Sequence, residues 1–207
     1  MPRDTRAEWE ALAERWDAAR RRAWPDVAAF AESFPAGARV LDLAAGNGRH
    51  AAGAAKTGVG VVAADFSRSL LHFAASRGLA VMQADARALP LRPASFDGAL
   101  FVAALHCIPG RASRIGALAE MRRAVRPGGR ALVTVWSCFR DGKLSGWTTA
   151  DADVAWGDVA RYYHFYSPVE FATDCRAAGW SGVRLEGRRM AREGGFLPDN
   201  WFAWLEA

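Results

Sequence analysis

The stretch VLDLAAGNGRH, Val40 to His50, carries the reading of the fold. An apolar run of strand type ends on an acidic side chain, Asp42. The chain then passes through alanines and glycines into a helical pattern. Small residues let a backbone approach a ligand closely, and the first turn of a helix has N–H groups left over for an anion. Dinucleotide-binding folds place G-x-G-x-x-G at such a turn. That spacing is absent here, because Gly46 and Gly48 are followed by Arg49 and His50.

The same arrangement recurs outward from this turn. VGVVAAD ends a second strand-like run on Asp65, and the helical pattern SRSLLHFAASRG follows. LAVMQAD ends a third run on Asp85. FDGALFVAAL reads as a long buried fourth strand and RASRIGALAEMRRAV as a helix stopped by Arg-Pro-Gly-Gly. RALVTVW is then a fifth strand. Strands and helices in alternation predict an α/β fold with a mainly parallel sheet. Upstream, residues 5–22 read as an amphipathic helix, and Pro25 opens another that runs to about Ser33. Downstream, the pattern weakens into a loop or insertion from Ser137 to about Arg161. A helix capped by Ser167 comes next, and WSGVRLEGRRM and NWFAWLEA are two last strands.

Ligands bind outside the carboxyl ends of strands in open α/β sheets. Asp42, Asp65 and Asp85 stand at three successive ends of this kind. Each alone is as readily a helix cap or a turn former. The three together, with the glycine loop, predict a ligand site. Asp65 suits ribose hydroxyls as a bidentate acceptor.

The 207 residues are enough for one domain with a real core, and 51% of them are apolar. Cys107, Cys138 and Cys175 are odd in number and far apart, and the four histidines are scattered. Neither a disulfide framework nor a metal site is expected. No apolar run approaches the ~20 residues of a membrane span. The charged N-terminal segment has no apolar core of secretory type, so the expectation is a cytoplasmic protein with no membrane partner. The net charge is +5, and only Lys56 and Lys143 among the 27 basic residues are lysine. Codon usage accounts for such a bias. A nucleic-acid surface accounts for it too, since Arg forks pair with phosphates and stack on bases.

Residues 36–136 resemble the class I S-adenosylmethionine (SAM) methyltransferases. LDLAAGNG is similar to their first glycine motif, AADFS to the second acidic motif, QADARALP to the third and FDGALFVAALH to the fourth. VRPGGRALVTVW matches their turn before strand five. The resemblance implies a Rossmann-like, doubly wound, mostly parallel seven-stranded sheet with helices on both faces. It implies SAM as cofactor. Asp42, Ala44, Gly46 and Gly48 would flank its methionine portion, Asp65 with Phe66 its ribose, and Asp85 with Ala86 its adenine. Ala44 stands where the family has its first glycine.

Over most of its length the chain also resembles the tRNA wobble-uridine carboxymethyl methyltransferases. RWDAARRRAWP fills the frame of that family's N-terminal motif, and RYYHFYSPVEFATDCRAAGW and DNWFAWLEA resemble its C-terminal part. The family's Ser and Thr in the first motif are Asp17 and Ala19 here. Its His pair is reduced to His106-Cys107, and its Arg pair to Ser113-Arg114. The resemblance implies three parts: a helical lid over substrate and cofactor (1–35), the SAM-binding core (36–136), and a substrate-side insertion with the last strands (137–207).

It also implies esterification of a 5-carboxymethyl group. Arg20 and His106 would be catalytic, and Arg22, Trp24 and Arg114 would bind substrate. The implied partners are tRNA and a small zinc-ribbon activator covering LAVMQAD, an apolar sheet edge. Nucleobase amino-methylating and cytosine-C5 motifs are missing, and Cys107 reads as a small buried residue. Methylation of a small carboxylic acid or phenol, and a non-catalytic SAM-binding subunit, remain open as alternatives.

Overall fold

A computed structural model describes residues 5–139, 149–189 and 198–207. Its central strands follow directly from their composition. β1 (Arg39–Leu43), β2 (Gly60–Asp65) and β4 (Phe96–Val102) are apolar on both faces, as strands with a layer on each side must be. Side chains alternate across the sheet. Leu41, Leu43, Ala99, Phe101 and Val133 join one core, with Leu118 and Phe171 of the helices. Val40, Val61, Ala63, Leu100 and Leu132 join the other, with Val27 and Phe30. Each such Val, Leu or Phe side chain contributes ~1.5–3 kcal/mol by leaving water.

The seven strands lie in the order β3-β2-β1-β4-β5-β9-β8, where β3 is Ala80–Gln83, β5 Val125–Trp136, β8 Gly182–Arg188 and β9 Asn200–Glu206. The first five are parallel, and β9 runs antiparallel between β5 and β8. The order reverses between β1 and β4, so their carboxyl ends open a crevice. Helices α1 (Arg6–Ala19), α2 (Pro25–Glu32), α3 (Ala52–Lys56), α4 (Arg68–Ser76), α5 (Arg111–Ala124) and α6 (Pro168–Ala177) flank the sheet. Ser67 and Ser167 cap α4 and α6 through their hydroxyls, as serine at an N-cap does.

Three elements differ from the sequence expectation. α1 stops at Ala19 rather than near Arg22, because Asn47 of the glycine loop donates to the Arg20 carbonyl (2.8 Å) and to Asp17 Oδ1 (2.9 Å). The Arg-Pro-Gly-Gly segment belongs to β5, with Gly128 at φ +73° and a register shift opposite Phe96 and Gly98. The expected loop hides a hairpin, β6 (Ala150–Trp156) and β7 (Val159–Phe165), closed by Gly157-Asp158 with Gly157 at φ +65°. Residues 140–148 of that expected loop, and Met190 of the expected last-but-one strand, lie outside the described residues. Among the described residues no helix is long and apolar enough to cross a membrane, and no cluster of ligating side chains could hold a metal.

Candidate active site

The turn after β1 folds as its residues require. Gly46 and Gly48 sit at φ +56° and +72°, a region open to glycine, and Ala44 sits at +50° despite its Cβ. A Cβ on Gly48 would come within 2.6 Å of Leu79, so that glycine lets the loop press on the α4–β3 layer. Gly46 N–H donates to Asp65 Oδ2, and Ser67 N–H donates to Asp65 Oδ1, each at 2.8 Å. Asp65 thereby clasps the first loop to the second. Burial pushes its carboxyl up to about 6, against those two N–H bonds.

A cleft of about 670 Å³ opens over this clasp. Ala44, Gly46, Asp65, Phe66, Asp85 and Ala86 line it, which brings six of the eight predicted cofactor residues together. The other two stand behind the wall. Gly48 packs on α4, and Asp42 is buried beneath the loop with Oδ2 unbonded. Burial pushes the Asp42 carboxyl up to about 7, opposed by Arg49. Asp85 is gripped by Arg87 Nε (2.9 and 3.1 Å), which lowers its pKa.

Two cleft residues were not singled out by sequence. Arg49 lines the cleft; its guanidinium has no hydrogen bond or ion pair among the described residues, and its Nε is buried. Burial, then Arg20, lower its pKa to about 10, so it stays charged. His50 accepts the Trp24 N–H at Nδ1 (3.3 Å), which leaves the ring proton on Nε2, buried and without a partner. Burial holds His50 well below its ordinary pKa, hence neutral. The signal for both was present in the sequence, a cation and an imidazole directly after the glycines.

α1 roofs the cleft with Thr5, Arg6, Trp9 and Trp16. Arg20 stands exposed beside this roof, over the Trp16 ring at 5.5 Å and the Trp156 ring at 5.7 Å. Arg22 is exposed. Trp24 packs away from the cleft against His50 and Phe202. Arg114 is buried in a network with Tyr166 Oη (2.9 Å), Tyr162 Oη (3.2 Å) and the Ile108 carbonyl. His106 is buried too, stacked on Trp136, which stacks on Tyr163 at 4.3 Å. None of Arg20, Arg22, Trp24, Arg114 and His106 lines the cleft. Cys107 does line it, but burial pushes its thiol up to about 12, so the sulfur carries its proton and is no nucleophile.

The cleft fits a nucleoside joined to an amino acid. It offers a carboxylate at the second strand end, apolar Phe66 and Leu70 for a flat ring system, and Arg49 with His50 Nε2–H for an anion. Comparisons with known proteins agree. Residues 41–133 match the model of a methyltransferase domain. A putative methyltransferase of Encephalitozoon cuniculi is 31% identical, over 80% of this chain and 81% of its own length. An Arabidopsis thaliana protein named tRNA (carboxymethyluridine(34)-5-O)-methyltransferase is 34% identical over 70% of this chain. The match spans only 36% of that relative's length, and 19% of a Macaca fascicularis protein of the same activity.

Among solved structures, the CcbJ methyltransferase of Streptomyces caelestis shares the fold with a TM-score of 0.77 at 17% identity, covering 99% of each chain. A putative methyltransferase from a complex with the Haloferax volcanii Trm112 activator does so at 0.71 and 18%, covering 99% of this chain and 97% of that one. With the strand order, the glycine loop and the clasping aspartate already in place, these matches put the chain in the class I SAM-dependent methyltransferase family, with S-adenosylmethionine as its cofactor.

Proposed function

We propose that this methyltransferase esterifies the carboxylate of a 5-carboxymethyl group on the wobble uridine of tRNA. The observation that carries the reading is the 34% identity, over 70% of the chain, to a relative named for that reaction. The Arg-rich rim around α1 supports it, because a polyanion needs such a surface. S-adenosylmethionine, when bound, supplies an electrophilic methyl group on a positively charged sulfur. The chain's own residues hold and orient. Asp65 with Phe66 takes the ribose, and Asp85 with Ala86 the adenine. Asp42, Ala44, Gly46 and Gly48 shape the methionine end, where Arg49 and His50 Nε2–H meet its carboxylate.

The acceptor is a carboxylate, with a reference pKa near ~4, so it is ionised at neutral pH and no residue has to take a proton. Orientation alone can lower such a barrier by ~7–11 kcal/mol. Arg20, on the rim beside Trp16, holds the carboxylate by its planar fork. Arg22 lies along the path of the RNA, and Trp24 supports that segment by packing on His50 and Phe202. His106 and Arg114 act from behind the wall, by fixing Trp136 and the start of α5. The three parts, 1–35, 36–136 and 137–207, act as roof, cofactor core and substrate side. β3 is an edge strand with Val81 exposed, a surface suited to a zinc-ribbon activator.

One fact favours a second reading, methylation of a small carboxylic acid or phenol. The tRNA-named relatives carry most of their length outside the part matched here. Methyl-labelled SAM, offered with bulk tRNA, tRNA-depleted RNA and a metabolite extract, tests the choice. The expected result is label in tRNA. Label only in the metabolite fraction selects the second reading.

A further inference from the structure

Four guanidinium groups gather around three indoles where α1 meets the β6–β7 hairpin. Arg161 lies over the rings of Trp9 (5.2 Å), Trp16 (5.9 Å), Trp156 (5.5 Å) and Tyr163 (5.0 Å). Arg15 and Arg20 each lie 5.7 Å from the Trp156 ring, and Arg49 lies 5.9 Å from that of Trp16. Of these four arginines, only Arg15 has a carboxylate partner among the described residues, Asp158 at 3.0 Å. Arg161 is 5% exposed and its Nε has no partner. Among the described residues its guanidinium donates only to the Tyr163 phenol oxygen.

Taking a cation out of water costs several kcal/mol, and ring faces return only ~0.5–2 each. Several guanidinia held this close also repel one another. Such a seam is completed by anions at more than one point along it. The aromatic content says which anions. Trp156 is half-buried, directly before the hairpin turn, and Arg15 lies across bare Gly157, where a Cβ would collide with its guanidinium. A ring and forked cations beside Trp16, which lines the cleft, match an unpaired nucleotide, with base on indole and phosphate on guanidinium.

We propose that the α1–hairpin seam binds unpaired nucleotides next to the one that is methylated. Trp156 is the stacking platform, Arg15 a phosphate contact, and buried Arg161 the fixed charge that raises the potential of both. The proposal rests on the tRNA reading and adds the hairpin to it. The expected partner is single-stranded RNA of an anticodon loop.

The test measures binding of an anticodon stem–loop oligoribonucleotide by anisotropy over a salt series, with SAM affinity measured in parallel. Trp156→Ala should weaken RNA binding about 10-fold, and Trp156→Phe should recover most of it, since either ring stacks. Arg15→Glu should weaken binding and reduce the slope of log K against log salt by about 0.7, one phosphate contact to a single strand. SAM affinity should hold in all three. If the wild type binds RNA and Trp156→Phe, Trp156→Ala and Arg15→Glu bind it equally well with the same slope, the seam proposal is overturned and the tRNA reading stands. If the wild type binds no RNA at low salt, both fall.

Discussion

The two sides of the cleft are built differently. On the proposed cofactor side, the loop after β1 is tied to the end of β2 by the backbone N–H groups of Gly46 and Ser67 on Asp65. On the proposed substrate side, rings and guanidinia from α1, β6 and β7 meet across more than a hundred residues of chain, and among the described residues Arg15, Arg20 and Arg161 share one ion pair, Arg15–Asp158. Asn47 joins the sides, bonding to Asp17 and to the Arg20 carbonyl. The cofactor side is thus fixed by local hydrogen bonds, the substrate side by stacking and charge. A ligand common to a whole family suits the first construction, and a substrate that varies within it suits the second.

The largest expected effect is on pH-dependent stability. Asp42 and Asp65 have folded-state pKa values raised to about 7 and about 6. Such groups keep a proton in the folded chain that the unfolded chain has already lost. The contribution of these two groups to stability is therefore greatest at about pH 4 and falls as pH rises towards 7, by up to about 4 kcal/mol from Asp42. Asp42→Asn should remove that part and raise the melting temperature at pH 8. An unchanged pH profile in this variant would show that the cofactor side does not bury a strained charge.

On the substrate side, Arg20→Ala should lose roughly 2–4 kcal/mol of transition-state binding, ~30- to 1,000-fold in kcat/KM, at constant SAM affinity. Arg20→Lys should rescue in part, since an ammonium lacks the planar fork. Equal rates for Arg20→Ala and Arg21→Ala would reduce the rim to solvated charge. Asp65→Ala should weaken SAM by on the order of 1.5–3 kcal/mol in calorimetry. Full affinity there would place the ribose elsewhere. The smallest effect belongs to Ala44, at φ +50°. Ala44→Gly should stabilise the fold by ~1 kcal/mol, because glycine bears no Cβ strain there. A melting temperature that falls instead would mean the Cβ packs usefully against the cleft.

The same contrast explains what was legible in the sequence. Motif spacing singled out the glycine loop, and six of the eight residues it predicted for the cofactor line the cleft, because strand ends carry them in register. It passed over Arg49 and His50 although both directly follow the glycines, because only the folded chain buries Arg49 Nε and His50 Nε2 without a partner. The hairpin was missed although Gly157-Asp158 is a hairpin turn. β6 carries Asp151 and Asp153 on a mostly exposed strand, so its apolar signal is weak. Arg114 and His106 were placed near the substrate by the resemblance to the family's Arg and His pairs. They lie behind the wall because Tyr166, Tyr162 and Trp136 draw them inward. Arg161 gave no sign at all, since its setting is made by rings distant in sequence.

The central claim is that the labelled methyl becomes an ester on tRNA. Its most direct measurement is the alkali lability of that label. After transfer from methyl-labelled SAM to tRNA bearing 5-carboxymethyluridine, mild alkali should release the label as methanol. Label that stays on the tRNA through the same treatment, or no label on that tRNA, would contradict the account.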